Sequence, residues 1–229
     1  MILAAGRGER MRPLTDSCPK PLLEVAGKPL IVWHIERLVA AGFRDLVINH
    51  AHLGHLFESR LGDGRLFGAR IVWSAEPPGA LETAGGIANA LPLLGDAPFA
   101  VVNGDIWCDF DAPRLARTAA SLDVRVLAHL LLVANPAHNA SGDFCLAADC
   151  IVPEGAARHT YSGIGIYRPA LFAGIARGER AKLAPLLHEA IARDQVRGEL
   201  HPGRWVDVGT PERLAALDRE LRHGAVAPS

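Results

Sequence analysis

Short apolar runs of buried-strand character alternate with helical patterns along most of this chain. Leu3-Ala4-Ala5 ends a first run. The segments 45–50 (DLVINH), 69–74 (ARIVWS), 99–105 (FAVVNGD) and 126–133 (VLAHLLLV) read as further strands with both faces covered. Between them, Leu30 to Ala41 repeats apolar residues at helical spacing (Leu30, Ile31, Ile35, Leu38, Val39) and stops at Gly42. The segment 83–91 (TAGGIANAL) reads as a glycine-rich turn entering a helix. This alternation predicts a mostly parallel sheet with helices on both faces.

The last third is less regular. Residues 143–152 (DFCLAADCIV) suggest a small hairpin, and 160–167 (TYSGIGIY) a strand with two glycines. Residues 183–194 (LAPLLHEAIARD) form an amphipathic helical pattern. The stretch 204–222 reads as a short strand, a turn at Pro211 and a closing helix. The whole predicts one three-layer α/β domain, 1–229, with a first half to about 110 and a second half carrying substrate-binding insertions. In open α/β sheets ligands gather at the carboxyl ends of strands. Gly6, Gly104-Asp105 and Asp207 all fall at such ends.

Composition narrows the function. The 229 residues are 49% hydrophobic with a net charge of −1, so no global basic field is available to gather nucleic acid. No apolar run reaches the ~18 residues of a membrane span. The start, Met1-Ile2-Leu3-Ala4-Ala5, lacks a basic n-region, which makes the cytoplasm the expected location. Cys18, Cys108, Cys145 and Cys150 show no C-x-x-C spacing and read as free thiols. Among 24 cationic residues only Lys20, Lys28 and Lys182 are lysines, so a chain that uses arginine by habit keeps a compact point charge at few places. His50, His52 and His55 resemble a ligand cluster, but they follow a strand into a helix and read as packing or surface residues.

The chemistry concentrates in 3–14, LAAGRGERMRPL. A dinucleotide fingerprint needs a third glycine where Met11 stands, and Gly27-Lys28 is followed by Pro29, which breaks a Walker A loop. These departures, and the want of an acid after the second strand, argue against an NAD-binding oxidoreductase. What remains is a strand, a glycine turn whose backbone N–H groups can cradle phosphates, and arginines to neutralise them. The loop continues as RMRPLTDSCPKPLLEVAGKPL to residue 30. With LETAGGI (81–87), VVNGDIW (101–107), YSGIGIY (161–167) and WVDVGTPERL (205–214), the chain resembles the sugar-1-phosphate nucleotidyltransferases, the nucleotide-diphosphate-sugar pyrophosphorylases, over nearly its whole length.

The resemblance implies an α/β/α Rossmann-like nucleotidyltransferase fold with a mostly parallel mixed sheet. It implies transfer of a nucleotide from an NTP to a sugar 1-phosphate, with Mg²⁺ as cofactor. The local strings resemble most the short family members that use UTP and N-acetylmuramate 1-phosphate in peptidoglycan recycling. Guanylyl or thymidylyl transfer to mannose or glucose 1-phosphate is the alternative within the fold. A non-catalytic sugar-nucleotide regulator is the alternative outside it; such a protein should have lost a phosphate cation or a metal acid, and this chain keeps Arg10, Lys20, Asp105 and Asp207. The quaternary expectation is a monomer or a small homo-oligomer.

Carried residue by residue, the resemblance assigns Arg10 and Lys20 as catalytic cations on the triphosphate and the attacking phosphate. Arg7 and Arg12 assist at the rim or are simply solvated. Asp105 and Asp207 are the metal acids, with Asp109 and Asp111 nearby. Leu3, Ala4, Ala5, Gly6, Gly8, Glu82, Thr83, Gly85, Gly86, Asn103 and Gly104 fall on nucleotide-binding positions. Asn135, Gly142, Asp143, Ser162 and Gly163 fall on sugar-binding positions. Many family members carry a Glu-Lys pair on the preceding hairpin, but here 150–160 offers Glu154 and no lysine; Lys182 is the candidate replacement.

Overall fold

The computed structural model describes residues 1–155 and 157–224. In its first half, β1 (Ile2–Leu3) leads through α1 (Leu14–Ser17) and the small ribbon β2 (Glu24–Val25) and β3 (Lys28–Pro29) into α2 (Leu30–Ala40). There follow β4 (Asp45–His50), α3 (Gly54–Leu61), β5 (Arg70–Ala75), α4 (Glu82–Leu94), β6 (Phe99–Asn103), β7 (Ile106–Cys108) and α5 (Ala112–Ser121). The second half holds β8 (Ala128–Val133), β9 (Phe144–Ala147), β10 (Cys150–Val152), β11 (Arg158–Tyr167), α6 (Leu183–Ala192), β12 (Val196–Leu200), β13 (Trp205–Asp207) and α7 (Pro211–Gly224).

Nine strands form one sheet in the order β5-β4-β1-β6-β11-β8-β12-β10-β9. The sheet is mixed. Pairing is parallel across β5-β4-β1-β6 and between β8 and β12; β11 runs antiparallel to β6 and β8, and β9–β10 is an antiparallel hairpin. The physical reason is connection length. The crossovers through α2, α3 and α4 return the chain in the same direction, whereas the Ala148-Asp149 turn leaves room only for reversal.

Alternation along the strands feeds two apolar layers. Leu46, Ile48, Ala100, Val102, Leu131, Ile164 and Ile166 pack under Ile31, Ile35 and Leu38 of α2, Phe57 of α3 and Leu115 of α5. Their neighbours Val47, Phe99, Val101, Leu130, Leu132 and Tyr167 face Ile87 of α4 and Leu187 and Ile191 of α6. That is the three-layer arrangement the apolar runs predict. A smaller cluster of Val25, Leu30, Trp107, Val208 and Leu217 docks α7 against the β7–β13 ribbon. The parallel block places the carboxyl ends of β5, β4, β1 and β6 side by side, with Glu76, Asn49, the loop after Leu3, and Asn103 to Asp105 along one rim.

Candidate active site

The loop after β1 is shaped by a tight glycine and an anchored methionine. Gly8 has φ +66°, and a Cβ there would meet Lys20 Cβ and Thr15 Cγ2 at 3.1 Å. Thr15 Oγ1 donates to the Gly8 carbonyl at 2.8 Å, and Met11 is fully buried at the end of a single turn over Glu9–Met11. Arg10 is thereby held over the rim, beside Gly209, and has no carboxylate in ion-pair range among the described residues. Arg7 is tied down: it donates to the Thr15 carbonyl at 3.1 Å and to the His52 ring. Arg12 pairs with Asp16 at 3.2 Å on the surface.

Lys20 is the buried cation of the site, 5% exposed between Pro19 and Pro21. Its Nζ donates to Asp105 Oδ2 at 2.7 Å. Asp105 follows β6, and β7, which continues from it, pairs with β13 so that Asp207 lies opposite Ile106. Two acids a hundred residues apart in sequence are brought to neighbouring strand ends. Asp207 is held by Arg213 at 2.8 Å and by His138 at 3.3 Å, both on Oδ2. Among the described residues, Oδ1 of each carboxylate carries no protein hydrogen bond. Hard carboxylate oxygens with one atom free on each side are donors suited to a divalent cation such as Mg²⁺.

The opposite wall rests on a buried polar chain. Asn49 Oδ1 accepts from the Ala4 amide at 2.8 Å, and Asn49 Nδ2 donates to Glu76 Oε1 at 2.6 Å. Glu76 Oε2 accepts from the Leu81 amide at 2.8 Å, so three strand ends and the start of α4 are locked together. The glycines 85 and 86 lie inside the first turns of α4 and are buried. This corrects the expectation that they belong to a glycine-rich turn ahead of the helix. A Cβ on Gly85 would sit 2.3 Å from the Glu179 carbonyl, and one on Gly86 2.5 Å from Glu76 Oε1. They admit close packing instead. The segment 179–181 straps over the helix start, with Ala84 and Gly85 amides donating to the Ala181 carbonyl, both at 3.0 Å.

The result is a cleft of about 540 Å³ at the strand ends. Of the residues expected at the site, Leu3, Ala5, Gly6, Gly8, Arg10, Lys20, Glu82, Thr83, Asn103 and Asp105 line it. Ala4 lies beneath, spending its amide on Asn49; Gly104 ties β6 to β1 through its amide and the Leu3 carbonyl at 2.8 Å. Asp207 stands at the edge, two residues from the lining Gly209.

None of the residues expected to contact sugar lines this cleft, and most have other partners. Asn135 donates to the carbonyls of Ala140 and Arg158 and accepts from Thr160. Asp143 accepts from Asn139 and the Tyr161 amide, and Gly142 turns with φ +63° against Arg158. These three brace the loop before β9. Ser162 and Gly163 form the bulge in β11; Gly163 has no Cβ to collide with Asn103, whose amide would lie 2.6 Å away. Lys182 precedes α6 outside the cleft, and Arg180, two residues earlier, is the cation that reaches it.

Asn49, Glu76, Arg180, His138 and Arg213 were missed from sequence. Asn49 and Glu76 are polar residues ending buried strands, the same signal that singles out Asp105. Asp109 pairs with His201 at 2.7 Å and Asp111 caps α5, so neither reaches the cleft. The Cys108 thiol is pushed up to about 12 by burial and is no nucleophile. His50 packs on Phe57 beside Glu58, a structural role.

The family model for nucleotidyl transferases matches residues 1–143. The N-acetylmuramate alpha-1-phosphate uridylyltransferase of Neisseria meningitidis serogroup B is 58% identical, over 93% of this chain and 94% of its own. The enzyme of that name from Caulobacter vibrioides is 37% identical over 96% of both chains. A Bacillus anthracis structure solved in complex with sucrose superimposes with a TM-score of 0.84 at 23% identity, covering 96% of this chain and 94% of that one, which bears on the fold. With its strand-end cleft, its glycine-arginine loop and these similarities, the chain belongs to the nucleotidyl transferase family.

Proposed function

We propose that this enzyme transfers UMP from UTP to N-acetylmuramate 1-phosphate, releasing pyrophosphate and forming the UDP-sugar. The observation that carries the reaction class is the convergence of a buried lysine and an acid, Lys20 and Asp105 at 2.7 Å, under a glycine loop with Arg10 at its rim. The choice of uridine and muramate is supported by the Neisseria relative at 58% identity.

In this reading an oxygen of the sugar phosphate attacks the α-phosphorus of UTP, and the bond to the bridging oxygen of pyrophosphate breaks. Two polyanions must meet, so fixed cations offset their repulsion. Backbone amides around Gly6 and Gly8 cradle the triphosphate. Arg10 holds the β- and γ-phosphates and the departing pyrophosphate. Lys20, immobilised between prolines, bridges the α-phosphate and the incoming phosphate. Asp105 and Asp207 would hold Mg²⁺, which would supply charge neutralisation between the two anions. Asn103, set by Gly163, offers an amide to the ribose or sugar. The activity fits a place in peptidoglycan recycling in the cytoplasm.

The test is a panel of NTPs against sugar 1-phosphates with pyrophosphate release as the readout. UTP with N-acetylmuramate 1-phosphate should give the highest kcat/KM. UTP performing worst of the NTPs with every sugar would overturn the base assignment, and a clear preference for another sugar would overturn the acceptor.

A further inference from the structure

We infer that Cys108, Asp109 and His201 form a second metal site, outside the cleft, for a divalent cation of the zinc class. The Sγ of Cys108, a carboxylate oxygen of Asp109 and a ring nitrogen of His201 lie within 4.8 Å of one another. No other trio of His, Cys, Asp or Glu side chains gathers as closely among the described residues. None of the three lines the cleft that holds Lys20 and Asp105.

Three elements meet there. Cys108 ends β7 and pairs with Trp205 of β13, and the Asp109 amide donates to the Arg204 carbonyl at 3.1 Å. His201 follows β12, and its amide donates to the Leu132 carbonyl at 2.8 Å. The three donors therefore stand on backbone already fixed by pairing. Gly203 leaves one side of the group uncovered: a Cβ there would lie 2.4 Å from Asp109 Oδ1 and 2.7 Å from His201 Nε2. The Asp109 side chain is 39% exposed, so water can supply a fourth ligand.

The donor set selects the ion. Thiolate, imidazole and carboxylate together suit Zn²⁺, and Co²⁺ as its probe, whereas Mg²⁺ prefers oxygen alone. Burial keeps the Cys108 thiol protonated, with its pKa pushed up to about 12. A bound Zn²⁺ displaces that proton to solvent, and thiolate and carboxylate then balance its two charges. His201 Nε2 and Asp109 Oδ1 are hydrogen-bonded at 2.7 Å. Donor atoms around a tetrahedral Zn²⁺ lie roughly 3–4 Å apart, so the thiol approaches by about 1 Å and the His–Asp pair opens by less. Arg37 donates to the Cys108 carbonyl and lies over the Trp107 and Phe110 rings; its charge is the repulsive neighbour that the two anionic ligands offset. The antiparallel β7–β13 ribbon has Asp105 and Asp207 at one end, and the trio closes the other. The ion's role is structural: it clasps the far end of the ribbon that presents the two acids.

Titration of the full chain with Co²⁺, under excess Mg²⁺ to compete for oxygen-only sites, tests this. A thiolate-to-cobalt charge-transfer band should reach its plateau at one equivalent and be abolished by Zn²⁺. The band should be absent in Cys108→Ala, and His201→Gln should weaken Co²⁺ binding by about tenfold or more. Cys18→Ser and Cys150→Ser, at the two partly exposed thiols, should keep it. Zn²⁺ at about a hundredfold excess over its dissociation constant should raise the wild-type melting temperature by about 5 °C or more, and leave that of Cys108→Ala unmoved. Melting curves under Mg²⁺ alone establish that each variant folds; should Cys108→Ala not fold, His201→Gln carries the test. A wild type without the thiolate band, or a band and affinity unchanged in His201→Gln, overturns the site. Either outcome is independent of which nucleotide or sugar the enzyme uses.

Discussion

Lys20 has little room to move. Prolines flank it, its Cβ abuts Gly8, and its ammonium is fixed on Asp105 at 2.7 Å. Such a charge stabilises a transition state without reorganising. Replacing it with Met should lower kcat/KM by about 10²–10³, by analogy with loss of one preorganised donor, while Asp105, 40% exposed on its side chain, stays hydrated and the fold survives. Parallel activity and unfolding measurements check both halves. Gly8 and Gly6 make a second residue-scale contrast. A Cβ at Gly8 meets Lys20 and needs φ +66°, whereas one at Gly6 has nothing within 4 Å. Gly8→Ala should cost about 1–2 kcal/mol and lower kcat by shifting Lys20. Gly6→Ala should keep its melting temperature and raise the KM for UTP, since the added methyl enters the cleft. That Arg10, Lys20 and Asp105 line one cleft, with Asp207 near its edge, was legible in the sequence because each stands in a short motif of its own. Arg213 and His138 were not, since no periodicity links positions 138, 207 and 213.

At the level of elements, the start of α4 is set by contacts from three directions. Glu76 lies below, Asn49 connects it to the β1 loop, and the strap 179–181 crosses above. Glu76→Ala would leave Asn49 Nδ2 and the Leu81 amide buried without partners. The cost should be about 1–3 kcal/mol of unfolding free energy, with a higher KM for UTP, as denaturant melts and kinetics can report. The apolar runs revealed the strands and helices here because alternation and helical spacing are local. The role of Gly85 and Gly86 was hidden because it depends on Glu179 and Glu76, which arrive from other strand ends and loops. A glycine pair in sequence does not distinguish a turn from a close approach.

Across the whole molecule, one sheet carries the loops of the cleft on its parallel block and continues as a mixed extension, in which β8 and β12 pair in parallel. The expected alternation of strand and helix holds to β6. After that the chain reverses, by a tight turn between β9 and β10 and through α6 between β11 and β12, which apolar runs alone do not signal. Stability of the whole should also fall in acid. His34 on α2 is buried and donates Nε2–H to the Ile106 carbonyl at 2.8 Å, pinning β7 beneath Asp105. Burial pushes its pKa from 6.5 down to about 4. The unfolded chain takes up a proton below pH 6.5 while the folded one resists until about 4, so stability drops through that window and this group adds no further loss below it. The full effect is about 3 kcal/mol. Denaturant melts at pH 7 and 4.5 should show a smaller loss in His34→Gln than in the wild type.

The central claim is that Lys20, Asp105 and Asp207 form one phosphoryl-transfer site with Arg10. It is tested most directly by the rate of pyrophosphate release from UTP and N-acetylmuramate 1-phosphate, with Mg²⁺ present, in wild type and Asp105→Asn. The predicted result is a loss of about 10²–10³ in kcat/KM in a variant that still folds, with a lowered melting temperature because the buried Lys20 loses its charged partner; equal rates in the two proteins would contradict the site.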